Sequence, residues 1–356
     1  MKNILYIKST SVNDVRMSKF YHCYLENPNI AFNYWGWDRN NKEKKEAEGI
    51  IYFFKGIHLN LVFSYILYII KLFYKLLFSN LQKYDDIICV NFESALPMFW
   101  VSRIKRISFI YEIYDEFSKS YRFPLFIKRR LRKRDESIVK RAKYVIHVDS
   151  NRIFGPEKDK TIIIENTPND YWRGASRSYS MVKQKYAIVG FFSDARGMEQ
   201  IYKFIVDNKN LRFLLAGRFT NEIMKEQFSN LDNVEFHDFM PQEQLYKLME
   251  ECCAIFSLYN PNLEINRFAA SNKVYDAMMM GIPVITNKEV INSGFIKQHN
   301  IGFIIDYDYN ETWSCLTSDD FMDKMIELGS NGRALYLSNY QFSALVEKRL
   351  LPVLFE

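Results

Sequence analysis

The sequence predicts an α/β protein of two doubly wound parallel-sheet domains facing one cleft. Apolar runs of strand length alternate with helix-length segments from residue 4 onward, the pattern of strand, crossover helix and parallel strand. The alternation pauses in a Ser-, Arg- and Tyr-rich stretch over 170–185 and restarts at Tyr186. A length of 356 residues suits two such domains better than one. The expected limits are 1–172 and 173–334, with a last apolar helix over 335–356.

The first series opens with a strand over 4–7, and no apolar leader ending in small residues precedes it, so secretion is not expected. A polar loop leads to a helix over about 16–25, and strand signals follow near 30–35 and 50–54. Residues 59–78 are apolar apart from Asn60, Ser64, Lys71 and Lys75. Their length approaches a membrane span, but the two lysines and the strand directly after, 87–91, favour a buried crossover helix. The next strand, 108–113, ends at Tyr114, Asp115 and Glu116; a basic helix, then strands over 144–148 and 161–165, complete the series.

The second series runs through strand 186–192, helix 198–207, strand 212–216, helix 222–230, strand 234–236, helix 242–251 and strand 254–258. A helix over 273–280 and strands over 282–286 and 302–305 finish it. Open parallel sheets bind ligands beyond the carboxyl ends of their strands, so the loops there are the place to look for chemistry.

Cys23, Cys89, Cys252, Cys253 and Cys315 are odd in number and mostly lie in apolar runs, which reads as buried thiols in a reducing compartment. Neither they nor His22, His58, His147, His237 and His299 show metal-ligand spacing. The formal charge of +6 is local: from Lys128 to Lys143 there are nine Lys/Arg against Asp135 and Glu136, and the remainder is close to neutral. That segment reads either as a solvated helix face or as a dock for anionic lipid. Nucleic acid is not expected, because no basic motif interleaved with aromatics appears. Asp306-Tyr307-Asp308 has the spacing of a metal-binding acid pair, but it is too short to be specific and reads as a turn.

The segment from Ser271 to Ile285 carries the most information. Ser271 or Asn272 can cap a helix, Gly281 stops it, and Pro283 starts a buried strand. Lys273 and Asp276 are three apart and share one face of the first turn. A helix N-terminus attracts anions, a lysine there adds a full positive charge, and a carboxylate one turn on can accept from paired ribose hydroxyls. Gly190 closes the first strand of this series, Ser193, Arg196 and Gly197 follow, and Arg218 ends the next strand. A glycine at a strand end admits a ligand close to the backbone, and an arginine can neutralise a diphosphate bidentately.

This set resembles the donor-nucleotide site of GT-B fold glycosyltransferases, especially family-4-like bacterial enzymes that build surface polysaccharides such as capsule, O-antigen and exopolysaccharide. Their usual form is a turn of small residue, Asn and Lys, then an acid, Ala-Met or Tyr-Met, Gly, x, Pro, Val. The resemblance implies two Rossmann-like domains with the chain's last helix packed back on the first. It also implies Gly190, Ser193, Arg196, Gly197, Arg218, Asn272, Lys273 and Asp276 as the nucleotide-binding set. The sequence departs from the family in two places: Phe191 stands where a basic residue often follows the first glycine, and Phe268 stands where the first acid of a Glu-x7-Glu pair would touch the donor sugar. Asn260, Asn262 and Glu264 are the remaining polar candidates for that contact, and retention or inversion of the anomeric centre stays open. For an inverting transfer Asp115 or Glu116 is the candidate base, with Glu93 a weaker one.

The resulting expectation is a cytoplasmic enzyme on the inner face of the cell membrane, held through Lys128 to Lys143. It would move a sugar from a nucleotide diphosphate, a UDP-sugar foremost, to a lipid-linked glycan without a metal ion. Two alternatives remain at this point: a sugar-nucleotide epimerase of the same fold, and a catalytically degenerate scaffold.

Overall fold

Parallel pairing throughout, with helices in the crossovers, divides the chain into two units, each with its own sheet. The computed structural model describes residues 1–41, 48–114, 117, 124–150, 153, 156–173, 184–269 and 271–356. The first unit is Met1–Glu165 with Phe342–Glu356, and the second is Asn166–Gln341.

The first sheet contains β1 (Lys2–Ile7), β2 (Ile30–Asp38), β3 (Ile50–Lys55), β4 (Asp86–Val90), β5 (Ile110–Ile113), β6 (Val145–His147) and β7 (Thr161–Ile163), in the order β3-β2-β1-β4-β5-β6-β7. Every residue of β4 and β5 is buried, as expected for central strands covered on both faces. Chain direction across the sheet reverses between β1 and β4, which makes their carboxyl ends the switch point.

Helix Val15–Leu25, whose cap Asp14 accepts from the Met17 amide, packs on one face with the returning C-terminal segment, where Phe20 meets Phe342 edge-on at 4.9 Å. Helices Leu61–Phe78, Asn91–Lys105 and Leu125–Arg141 cover the other face. Asn91–Lys105 is absent from the sequence reading because Pro97 lies inside it. Leu61–Phe78 is a crossover helix as expected, but it is not buried: only Ser64, Tyr68, Leu72 and Leu76 turn inward.

Arg16 ties three elements of this unit together. Its guanidinium pairs with Glu112 Oε1 at 3.1 Å and donates to the carbonyls of Ile164 at 2.8 Å and Glu165 at 3.2 Å. Burial pushes the Glu112 carboxyl up from its ordinary range, and Arg16 opposes that shift.

The second sheet contains β8 (Lys185–Phe192), β9 (Arg212–Phe219), β10 (Val234–His237), β11 (Ala254–Ser257), β12 (Val284–Asn287) and β13 (Gly302–Ile305), in the order β10-β9-β8-β11-β12-β13. Its switch point lies between β8 and β11. Helices Met198–Asp207, Glu222–Ser229, Gln242–Met249 and Asn272–Met280 follow the sequence reading, and Asn292–His299 and Phe321–Leu335 are additional. The single helix expected over the last residues is interrupted at Gln341, which is extended at φ −63° and ψ 130°. Up to that residue the chain belongs to the second unit: Tyr336 is fully buried there and its hydroxyl donates to the Pro168 carbonyl at 2.9 Å.

Arg333 and Asp170 form a two-pronged ion pair, 2.8 and 3.1 Å, and Arg333 also donates to the Met279 carbonyl at 3.1 Å. Both side chains are largely buried, so removing one partner strands the other charge. Asp170→Ala is expected to lower unfolding free energy by about 3–5 kcal/mol, read as an earlier denaturant midpoint for the second unit's transition.

Candidate functional site

The carboxyl ends of β8 and β9 carry two glycines in register, Gly190 opposite Gly217. Their φ angles are +103° and +154°. A Cβ on Gly217 would stand 1.9 Å from the Gly190 carbonyl oxygen, so the two backbones approach as no other residue would allow. A Cβ on Gly190 would instead meet the Lys273 ammonium at 3.8 Å. Lys273 therefore lies over the end of β8, held there from the first turn of helix Asn272–Met280.

That helix is fixed by its inner face, since Val274, Ala277, Met278, Met279 and Met280 are buried. Gly281 ends it in the left-handed conformation at φ +65°, its amide donating to the Ala277 and Met278 carbonyls. The start differs from the sequence reading. Ser271 occupies the cap position, but its hydroxyl accepts from Ser257 Oγ at 2.7 Å and no side chain caps the first turn. Helix Met198–Asp207 also begins without a side-chain cap, at Gly197 with φ +70°. A Cβ on Gly197 would come within 2.8 Å of the Leu258 side chain, so glycine is needed here for contact as well as conformation. Two helix N-termini of the second unit thus keep their first-turn amides free of side-chain acceptors.

Among the described residues, Lys273 has no ion pair or hydrogen-bond partner. Partial burial lowers its ammonium pKa from the ordinary 10.5, Tyr259 and Asp276 act against that, and the nearby Arg196 reinforces it. Arg196 stacks on Tyr259 with its guanidinium carbon 4.3 Å from the ring centre. Tyr259 is pinned through its backbone: its amide donates to Asn287 Oδ1 at 3.0 Å and its carbonyl accepts from Asn287 Nδ2 at 3.2 Å. The loop after β8 is joined to the loop after β11 at the Ala195 carbonyl, which accepts from the Asn260 amide and from Asn266 Nδ2, both at 3.0 Å. Tyr259, Asn266 and Asn287 are not legible in the sequence as parts of this scaffold, because their contacts span 28 to 71 residues and carry no local spacing signal.

Asp276 lies one turn beyond Lys273 and is partly buried; its Oδ1 accepts from the Tyr246 hydroxyl at 2.8 Å. Tyr246 in turn accepts from Gln242, and burial together with Asp276 pushes its hydroxyl well above the ordinary tyrosine value. This tyrosine was also missed in the sequence. Asn272 is exposed at the start of the same helix. Ser193 is partly buried, and its carbonyl accepts the Arg196 amide at 2.8 Å. Arg218 is exposed at the end of β9, and among the described residues no contact joins it to Lys273 or Arg196. Asn260 Oδ1 accepts the Asn262 amide at 3.0 Å in a local turn, and Asn262 and Glu264 are exposed beside it. Asp306 pairs with Lys288 at 2.6 Å and accepts from Asn310, the geometry of a turn.

In the first unit, Asp115 and Glu116 lie outside the described residues. Glu93 begins helix Asn91–Lys105 at the β1/β4 switch point, buried, with Oε1 accepting from the Ser9 hydroxyl at 2.5 Å. Burial pushes its carboxyl up. Arg39 donates to the Ser9 carbonyl at 2.9 Å and to the Tyr65 hydroxyl at 2.7 Å, and Lys8 pairs with Asp14 at 2.5 Å.

No family model and no curated protein sequence matches the chain. Solved structures do match its fold. Anabaena Alr3699/HepE in complex with UDP superposes with a TM-score of 0.65 at 15% identity, covering 100% of both chains. A glycosyltransferase from Rickettsia africae ESF-5 gives 0.69 at 13% identity, covering 99% of this chain and 97% of that one. The lipopolysaccharide outer core galactosyltransferase WaaB gives 0.63 at 11% identity, covering 98% of each. With two parallel sheets of seven and six strands in one chain, the fold is GT-B.

Proposed function

We propose that this chain is a glycosyltransferase that moves a sugar from a nucleoside diphosphate donor, a UDP-sugar foremost, to a lipid-linked glycan during bacterial surface-polysaccharide synthesis. The observation that carries the reading is Lys273: a partly dehydrated cation with no ion-pair partner among the described residues, at an uncapped helix N-terminus and over a glycine strand end. Such a site is incomplete until an anion fills it. Likeness in fold to HepE, whose structure holds UDP, and to the lipopolysaccharide galactosyltransferase WaaB supports the class of donor and of pathway.

In this reading Lys273 and Arg196 stabilise the diphosphate as it leaves, with the two helix N-termini adding partial positive charge. Asp276, oriented by Tyr246, accepts hydrogen bonds from the ribose hydroxyls. These cations and dipoles cover the leaving group, so the reaction needs no metal ion. An acceptor hydroxyl attacks the anomeric carbon, and in an inverting transfer Asp115 or Glu116 takes its proton. Arg218, Asn260, Asn262 and Glu264 belong to the donor's periphery. The enzyme works on the cytoplasmic face of the membrane, held by the basic residues from Lys128 to Lys143.

The first test is thermal stability of the purified chain against UDP, GDP, CMP, ADP and dTDP. UDP is expected to raise Tm selectively, and Asp276→Ala to abolish the shift; no shift with any nucleotide would instead indicate a degenerate scaffold. Lys273→Ala should weaken UDP binding about 10- to 100-fold, the range of a charge-assisted hydrogen bond, without lowering the Tm of the free protein. Product analysis with donor alone separates transfer from epimerisation, since an epimerase would convert the donor without acceptor.

A pH series tests the same lysine. Diphosphate binding favours the charged ammonium and raises its lowered pKa, so binding takes up a proton once the pH exceeds that lowered value. UDP affinity should therefore fall as pH rises through the lowered Lys273 value, short of the ordinary 10.5, and Lys273→Met should lack that fall.

A further inference from the structure

We infer that the first unit carries a membrane-facing surface built on helix Leu61–Phe78, which lies flat in the boundary between headgroups and acyl chains of an anionic bilayer. This deepens the membrane association proposed above, which rests on the basic segment alone.

The helix has two apolar faces. Ser64, Tyr68, Leu72 and Leu76 are fully buried in the unit's core. Val62, Ile66, Ile70, Tyr74 and Phe78, spaced by four, form the opposite stripe and are 46% to 81% exposed. A surface helix normally turns polar residues outward, and a contiguous apolar stripe marks an interaction site. The helix is long and apolar enough to cross a membrane, yet its inner face is locked in the core. It therefore lies on a bilayer and does not span it.

The helix carries no acid, and its two lysines fold back toward the sheet. The Lys71 ammonium sits 4.9 Å from the Phe54 ring and that of Lys75 4.4 Å from the Trp35 ring. Leu59, just before the helix, is 88% exposed at φ +58°, a strained backbone that presents an aliphatic side chain to solvent. Trp100 of the adjoining helix packs edge-on against Phe73 at 6.1 Å and is itself partly exposed, the placement of an interfacial anchor.

Charge identifies the occupant. Helix Leu125–Arg141 packs on the same helix Asn91–Lys105, and a groove between them has Leu96, Trp100 and Leu131 on its floor and Arg130, Lys133 and Arg134 on its rim. Cations beside an apolar stripe complement an anionic lipid surface. A second copy docked on the same face would bring two strongly basic helices together.

Sedimentation of the full chain with phosphatidylcholine vesicles, with and without phosphatidylglycerol, tests the inference. Wild type should bind the anionic vesicles, and an Ile66→Asn/Ile70→Asn variant should bind at least about tenfold more weakly. Because both residues are about half exposed, the variant should keep the wild-type melting temperature and UDP response. Trp100 fluorescence should be quenched by lipids brominated along the acyl chain, with the signal lost in Trp100→Phe. Salt-sensitive binding that the double variant retains, without quenching, would leave only the basic helix docking and overturn the apolar surface. No vesicle binding at all would overturn both, whatever the UDP response. Self-association without vesicles that the double variant abolishes would assign the face to a second copy and equally overturn the inference.

Discussion

A cation with no ion-pair partner among the described residues organises the candidate site of the second unit. Lys273 is partly buried, stands near Arg196, and shares its end of the helix with uncapped amides. Arg196 and the helix amides raise the local positive potential, and Asp276 one turn on offsets it only in part. What holds the arrangement together is apolar. Five residues of helix Asn272–Met280 are buried, and Val274 and the three methionines each contribute about 1.5–3 kcal/mol. That exceeds the cost of one half-dehydrated ammonium, so the inner face fixes the helix and the outer face is left for a ligand.

The first unit makes the opposite choice at the equivalent ends of its strands. Lys8 pairs with Asp14, Arg16 with Glu112, and Arg39 donates to Ser9 and Tyr65. These cations are already answered by acids, carbonyls and hydroxyls of the same unit. An anion arriving there would have to displace a partner, whereas at Lys273 no ion-pair or hydrogen-bond partner among the described residues stands in its way. The distinction does not depend on motif similarity, and it makes the second unit the donor side of the reading.

Legibility followed the range of the interactions. The strands were readable because their runs are apolar on both faces, and the placements of Lys273, Gly190 and Gly281 because each is set within one turn or strand end. Asn91–Lys105 was hidden by Pro97, and Phe321–Leu335 by Gly329 and Gly332, which read as breakers. In the fold a Cβ on Gly332 would stand in ordinary contact with the Met278 backbone at 3.5 Å, so this glycine lies where the helix packs against helix Asn272–Met280 without being required there. Tyr246, Tyr259 and Asn287 shape the site through contacts between elements far apart in sequence. Single-sequence periodicity carries no trace of such pairs.

Helix Leu61–Phe78 shows where hydropathy misleads. Read as composition, it is a core helix. Read by position, its buried face is the more polar: the Tyr68 hydroxyl meets Ser94 at 3.1 Å, and Ser64 holds the turn at His58 and Asn60. Its exposed face holds valine, isoleucine, tyrosine and phenylalanine. Water alone would select the reverse, because each half-exposed aliphatic residue there forgoes roughly half of the about 1.5–3 kcal/mol that full burial would give. A helix that turns its more apolar side away from its own core is matched to something other than that core, and the neighbouring arginines and lysines bear the charge opposite to a lipid headgroup layer.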